Sequence, residues 1–324
     1  MNAPKERILV TGAAGFIGSH LTERLLALGH QVIGIDNFDP FYPAALKRQN
    51  LATALAHPAF QLIEGDCAEA ADVERAFGGG IDVVVHLAAR AGVRPSIQDP
   101  LGYTRANIVA TQVMLEAART HAVTRFVFGS SSSVYGNNQK VPFSETDSVD
   151  HPISPYAATK RACELICHTY HHLFGMTVLS LRFFTVYGPR QRPDLAIRKF
   201  ATLMSRGEAV PFYGDGSSER DYTWIDDIIQ GVLAAIERSR GRAPEFEIIN
   251  LGESHTTSLS RLVELIAHSL GVQPRLQRLP MQPGDVDRTF ADVTKARRLL
   301  GYQPSTPVEE GIPRFIEWFK TCAS

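Results

Sequence analysis

The sequence predicts an α/β protein, a doubly wound parallel sheet with helices on both faces and a smaller α/β domain after it. Three observations predict it. Short β-branched or apolar runs alternate with longer amphipathic stretches through the first half of the 324-residue chain, the pattern of strands joined by crossover helices. The first run leads through a glycine-rich turn into an amphipathic helix. After about residue 184 the texture turns to loops, Tyr187-Gly188-Pro189-Arg190-Gln191-Arg192-Pro193-Asp194 and then Gly214-Asp215-Gly216, which reads as the start of the second domain.

The strands follow in order at Ile8-Leu9-Val10, Val32-Ile33-Gly34-Ile35, Phe60-Gln61-Leu62-Ile63, Val83-Val84-Val85, Phe126-Val127-Phe128 and Val178-Leu179-Ser180-Leu181. In open sheets of this kind ligands bind beyond the carboxyl ends of the strands, where Gly12, Asp36, Asp66, Leu87 and Ser130 fall. Ile225 to Ile236 reads as an amphipathic helix and Glu247-Ile248-Ile249-Asn250-Leu251 as a further strand. The expected division is therefore residues 1–184 as the first domain, with 222–251 returning to it, and 185–324 mainly as the second.

Composition excludes several classes. With 44% hydrophobic residues the chain can bury a substantial core. A net charge of −1 leaves no global field to attract nucleic acid or a membrane surface. The amino terminus, Met1-Asn2-Ala3-Pro4-Lys5-Glu6-Arg7, enters a strand without an apolar stretch of signal-peptide type, and no apolar run approaches the ~20 residues that cross a bilayer. Neither an internal repeat nor a low-complexity tract is present. Cys67, Cys163, Cys167 and Cys322 are scattered and form no Cys-x-x-Cys pair, which fits a reducing compartment, with the cytoplasm as the expectation.

The strand at Ile8 to Val10 runs into Thr11-Gly12-Ala13-Ala14-Gly15-Phe16-Ile17-Gly18 and then a helix expected from Ser19 to Leu28. That is the context of a Rossmann-type dinucleotide fingerprint: glycine lets the backbone approach a pyrophosphate at the helix amino terminus. Asp36 ends the second strand, 24 residues after Gly12. There a carboxylate can accept bonds from a ribose hydroxyl and repel a 2′-phosphate, which favours NAD over NADP; the other reading is a turn residue before Asn37. Tyr156 and Lys160, four apart, share one helix face, so the Lys160 ammonium can sit near the phenol. A nearby cation favours phenolate and brings a group that titrates near pH ~10 toward neutrality. Such a phenolate removes a proton from an alcohol as hydride leaves its carbon.

Gly12-x-x-Gly15-x-x-Gly18, Gly65-Asp66, His86-Leu87-Ala88-Ala89, Asn107, the serine run and Tyr156-x-x-x-Lys160 come in one order, and with them nearly the whole chain resembles the extended short-chain dehydrogenase/reductases that act on nucleotide sugars. The resemblance implies an NAD site of Gly12, Gly15, Phe16, Ile17, Gly18, Asp36, Asn37, Asp66, Cys67, Leu87, Ala88, Ala89, Asn107, Tyr156 and Lys160. In it Asp66 and Cys67 border the adenine, Leu87 to Ala89 pass along the cofactor, and Lys160 also holds the nicotinamide ribose. It implies a UDP-sugar site in residues 185–324. A homodimer is implied as well, through helices around Asn107 to Thr120 and Tyr156 to Phe174 packed as a four-helix bundle; their apolar positions read equally as core.

Branches of this family differ at Ser130-Ser131-Ser132-Ser133. The sugar 4,6-dehydratases carry an Asp-Glu pair at the positions of Ser132 and Ser133, and the uronate decarboxylases a glutamate at that of Ser133. Serine is no acid or base near neutral pH without strong activation, so dehydration and decarboxylation are disfavoured and epimerisation remains. By resemblance to the nucleotide-sugar 4-epimerases, Ser131 bonds the sugar 4-hydroxyl beside Tyr156, and NAD is regenerated at each turnover.

Phe183-Phe184-Thr185-Val186-Tyr187-Gly188-Pro189 with the later Arg192-Pro193-Asp194, and Arg90-Ala91-Gly92-Val93-Arg94, resemble the UDP-glucuronate 4-epimerases. UDP-glucose or UDP-N-acetylglucosamine is the alternative substrate, and a catalytically idle NAD-binding protein would be expected to lack Tyr156 or Lys160. A 4-keto uronate is a β-keto acid and loses carbon dioxide when the carboxylate bond aligns with the carbonyl π system. Hydroxyls of Ser132, Ser133 and Thr185 suit the task of holding that carboxylate out of line, with Arg192 adding charge and Arg94 also placed at the substrate. Ser132 and Ser133 read otherwise as a turn satisfying its own backbone, and Arg192 otherwise as a surface residue. Arg220 matches the family arginine on the diphosphate, Asp285 an acid near the uridine ribose, and Arg288 is within reach of a phosphate; Met281 and Gln282 stand where relatives have an arginine. His168, His171 and His172 with Cys163 and Cys167 share a helix, but no carboxylate or paired motif supports zinc, so no metal is expected. Arg297-Arg298 reads as a solvated helix face.

Overall fold

The computed structural model describes residues 4–241, 243–280 and 288–323. Seven parallel strands form its central sheet: β1 (Arg7–Thr11), β2 (Gln31–Asp36), β3 (Phe60–Glu64), β4 (Val83–His86), β5 (Arg125–Ser131), β6 (Thr177–Phe183) and β7 (Phe246–Leu251). Their order is β7-β6-β5-β4-β1-β2-β3. The chain winds outward from β1 to β3 and then returns to the other side of β1, so a crevice opens beyond the carboxyl ends of β1 and β4, where ligands of such sheets bind.

Both faces are covered, which explains why the strands read as continuous apolar runs rather than alternating ones. Ile8, Val10, Val32, Val83 and Val85 belong to a core shared with α1 (Phe16–Ala27), while Leu9, Ile33, Ile35 and Val84 belong to the opposite core. That opposite core is closed by α2 (Ala70–Phe77), α3 (Ala110–Thr120) and α4 (Pro155–Phe174). Helix α5 (Ile225–Arg238) packs on α1, and β7 pairs with β6. The segment from Ile225 to Leu251 thus lies on the first sheet, because Ile228, Ile229, Val232 and Ile236 are buried there.

Helix α1 begins at Phe16, three residues before the expected start. Its N-cap is Gly15 in extended conformation, with no side-chain cap, so the usual signal of a capping hydroxyl is missing; Ser19 lies within the helix and donates to Phe16 O. Helix α4 has the ordinary signals, with Ser154 Oγ accepting from Ala157 N, Pro155 in the first turn and Gly175 in left-handed conformation at the end. Among the described residues three two-stranded pairs lie outside the central sheet: Thr185–Tyr187 with Tyr222–Trp224, Glu219–Arg220 with Thr257–Ser258, and Val210–Tyr213 with Leu276–Leu279.

Candidate active site

The glycine turn and β4 meet at the crevice. Gly12 has φ +66°, and a Cβ there would stand 2.9 Å from both Cα and N of Ala88, so no side chain fits. A Cβ on Gly18 would lie 2.1 Å from Gly12 O; its absence lets the first turn of α1 close on the end of β1. Asp36 is buried, and its two oxygens accept from Ala14 N (3.1 Å) and Phe38 N (2.8 Å), which leaves lone pairs for further donors. Burial raises its carboxyl above the ordinary value, against the pull of Lys47 and of those two N–H groups. Asp66 is held below its ordinary value: burial pushes it up, but Ala68 N, Arg105 and Asn37 outweigh that.

Thr11 Oγ1 accepts from Leu87 N (3.1 Å) and Ala88 N (2.9 Å) and lies 2.8 Å from His86 Nδ1. Thr111 Oγ1 lies 3.1 Å from His86 Nε2 and donates to Asn107 O. With two N–H groups on its oxygen, Thr11 gives its hydrogen to Nδ1, so His86 carries its proton on Nε2. Burial, then Lys160, lowers its pKa to about 3, and it stays neutral. Asn107 departs from expectation. Its side chain holds the loop after β4, accepting from Arg90 N and donating to Arg90 O and Thr159 Oγ1, and it does not line the cleft.

Tyr156 and Lys160 stand on α4. Lys160 Nζ donates to Gly129 O at 2.6 Å and lies 4.9 Å from the centroid of the Phe128 ring, because that carbonyl and ring are the polar and polarisable groups its buried stem reaches. Burial lowers Lys160 to about 8. Burial also raises the Tyr156 phenol above its ordinary value, opposed by a hydrogen bond from Ser131 and by the charge of Arg192. The groups that ease ionisation of the phenol are thus the Ser131 hydroxyl first and the Arg192 guanidinium second. Tyr103 packs edge-on to its ring at 6.2 Å and bonds Ala91 O.

Arg192 lies in the cleft rather than on the surface. It bonds Ala91 O (3.1 Å) and Asp194 and covers the Phe41 ring. Thr185 lines the cleft beside Phe183 and Phe184. Ser131 lines it too, but Ser132 and Ser133 do not; they form a short 3-10 turn in which Ser133 N donates to Ser131 Oγ, as the turn reading has it. Arg94 lies over the Tyr213 ring. Arg220 donates to Glu219 O and Arg288 pairs with Glu219; none of these three arginines lines the cleft. Asp285 lies outside the described residues. His168 stacks with His172 and meets Phe246 edge-on.

The cleft has a volume of about 440 Å³ and takes in Gly12, Gly15, Phe16, Ile17, Gly18, Asp36, Asn37, Asp66, Cys67, Leu87, Ala88 and Ala89 together with Ser131, Tyr156 and Lys160. A cradle that a Cβ would fill at Gly12, a buried acceptor at the end of β2 and open backbone at the start of α1 fit a dinucleotide. Sequence reasoning missed Asp39, Phe41, Tyr42, Lys47, Arg90 and Arg105, which also line it. Arg90 bonds Asp39 and Asp99, and Lys47 Nζ donates to Asp39 O. The aromatic pair Phe41-Tyr42, in the loop that follows the strand-end acid Asp36, was the one available signal.

A family model described as GDP-mannose 4,6-dehydratase matches residues 9–315. A protein of Rhizobium meliloti named as a probable UDP-glucuronate 4-epimerase is 40% identical over 97% of this chain and 96% of its own. The crystal structure of UDP-glucuronic acid 4-epimerase from Bacillus cereus, in complex with UDP-glucuronic acid and NAD, superposes with a TM-score of 0.91 at 38% identity, covering 98% of this chain and 99% of that one. UDP-glucose 4-epimerase from Thermotoga maritima, with UDP-glucose, gives 0.89 at 33% identity over 98% of this chain and 100% of that one.

Proposed function

The chain belongs to the GDP-mannose 4,6-dehydratase family of extended short-chain dehydrogenase/reductases, and from that premise we propose that it interconverts UDP-glucuronate and UDP-galacturonate as an NAD-dependent 4-epimerase. The observation that carries the reading is the wall of the cleft facing Tyr156. Hydroxyls of Ser131 and Thr185 and the cation of Arg192 line it, while serines occupy 132 and 133, where elimination of water would need an acid and a base.

Tyr156, acting as its phenolate, takes the proton of the sugar 4-hydroxyl and becomes the neutral phenol, with Ser131 bonded to the same sugar oxygen. Ser131 Oγ accepts from Ser133 N, and its hydrogen, given to the Tyr156 phenol in the free protein, turns to the sugar oxygen when substrate is bound. The chemistry that NAD supplies when bound is reversible acceptance of the C4 hydride, which makes the net reaction redox-neutral. Tyr156 keeps the proton while the ketose turns and returns it on the other face. Lys160, fixed on Gly129 O, places a cation at the inner end of the cleft. Arg192 and Thr185 hold the uronate carboxylate out of line with the C4 carbonyl.

In this reading residues 1–184 with 222–251 hold NAD, and residues 185–324 mainly hold the UDP-sugar, with Arg220 on the diphosphate. A second copy of the chain covers the helices around Asn107 to Thr120 and Tyr156 to Phe174, where Val109, Leu165, Leu173 and Phe174 are exposed large apolar side chains. The cytoplasm is the compartment that suits its cysteines, none of which is paired among the described residues.

The test is to incubate the purified protein with UDP-glucuronate, adding no NAD, and to follow the sugar protons by NMR with UDP-glucose in parallel. UDP-galacturonate formed without loss of carbon dioxide is the expected result. Turnover of UDP-glucose alone overturns the roles of Thr185 and Arg192 and leaves the Tyr156 chemistry standing.

A further inference from the structure

A buried polar cluster behind the catalytic helix is not used by the chemistry above. Glu164 is 1% exposed. Its Oε1 accepts from Ser130 Oγ at 2.7 Å and Arg182 Nε at 2.8 Å, and its Oε2 from Arg182 Nη2 at 2.9 Å and Arg161 Nη1 at 3.3 Å. Arg182 is also 1% exposed and lies over the Tyr135 ring. The sheet face toward α4 is apolar at Phe126, Phe128 and Val178, carries the small buried Ser180 next, and ends in Ser130 and Arg182, which pair in register.

The order of contacts gives this cluster its meaning. Three consecutive residues of β5 are each met by α4: Gly129 O by Lys160 Nζ, Ser130 Oγ by Glu164, and Ser131 by the Tyr156 phenol. The first and last of these helix residues are the reacting pair. Glu164 stands one helical turn after Lys160. A fully buried ion pair adds little stability over apolar side chains of similar volume, so its presence at this place calls for another reason. We propose that Glu164, held by Arg182, is a positioning residue that locks the register of α4 on β5 through Ser130 and so fixes the Tyr156 phenol against the Ser131 hydroxyl. This rests on the epimerase reading of Tyr156 and extends it one layer inward.

Ser130→Ala removes the strand tie and leaves the Glu164–Arg182 pair in place. The double variant Glu164→Gln with Arg182→Met removes the buried pair and leaves the partly exposed Arg161 to Asp150. Each is compared with wild type for kcat, KM, bound NAD, thermal midpoint and the isotope effect of C4-deuterated substrate, on whichever of UDP-glucuronate and UDP-glucose the wild type turns over. In both variants kcat should fall about tenfold to a hundredfold, with KM and bound NAD unchanged and the isotope effect raised, because proton and hydride transfer become slower than the sugar's rotation. Ser130→Thr, which keeps the hydroxyl, should restore most of the rate. Wild-type kcat and isotope effect in both variants overturn the positioning role, as does a loss that follows the folded fraction with the isotope effect unchanged. A wild type inert toward both sugars overturns the reading of Tyr156 itself, and the positioning role with it.

Discussion

The two ends of the cleft are built by different means. At the cofactor end the walls are main chain: Gly12 lies against the backbone of Ala88, and Asp36 bonds two backbone N–H groups. At the end proposed for the sugar the walls are side chains brought from far apart, Arg192 over Phe41 and Thr185 beside Phe183 and Phe184. Backbone walls cannot be changed in small steps, whereas side-chain walls can be exchanged one at a time. Substrate choice is therefore expected to vary at the second end while cofactor binding stays fixed at the first.

The comparison breaks most sharply where the two ends meet. Tyr156→Phe should lower kcat by about 10²–10⁴-fold, the usual contribution of a proton carrier, with NAD content unchanged; loss of NAD as well would mean that the phenol belongs to the cofactor end. Next is Gly12→Ala, which adds a Cβ 2.9 Å from backbone at φ +66°. The left-handed conformation alone costs about 1–2 kcal/mol, and purified protein should lose its NAD on gel filtration. Arg192→Met should reduce kcat/KM for UDP-glucuronate by about tenfold to a hundredfold, from a charge-assisted bond of about 1.5–3 kcal/mol, and reduce it less for UDP-glucose. Equal losses on both sugars would make Arg192 a loop tie rather than a carboxylate ligand.

The smallest effect concerns how each half buries acids. Beneath α4 Glu164 has a guanidinium; in the second half of the chain Asp221 accepts, among the described residues, from donors that carry no charge, those of Thr223, Glu253, Ser254 and Ala291. Burial pushes Asp221 up to about 6, and burial with Asp227 and Asp221 pushes Glu253 up to about 8. A carboxyl raised on folding binds its proton more tightly in the folded state, so its contribution is whole below the unfolded value and declines as pH rises toward the folded one. The thermal midpoint should fall as pH rises toward 8 and level off above it, and Glu253→Gln should flatten that slope.

Legibility followed the same division. Gly12, Gly15, Gly18, Asp36 and the pair Tyr156 and Lys160 could be read in the sequence because each acts through a short stretch of chain, a turn, a strand end or one helix. The direction of the Lys160 ammonium could not, since Gly129 comes from a strand 31 residues earlier. Asn107 enters the NAD site through the resemblance alone, and its bonds to Arg90 and Thr159 could not be read because both partners lie far from it in sequence. Phe41, Tyr42 and Lys47 went unread because an aromatic loop after a strand has no periodicity to betray it. The strands themselves were legible since burial on both faces makes them apolar throughout.

The contact between Gly12 and Ala88 has a consequence for how such a chain can drift. The atoms that a Cβ at position 12 would strike are the Cα and N of residue 88, which every amino acid possesses. Shrinking the side chain at 88 makes no room, so no exchange there can compensate a change at 12. A screen for second-site suppressors of Gly12→Ala should return none at residue 88, and lineages of this fold can explore new sugars while that one crossing of two loops holds them to the same coenzyme.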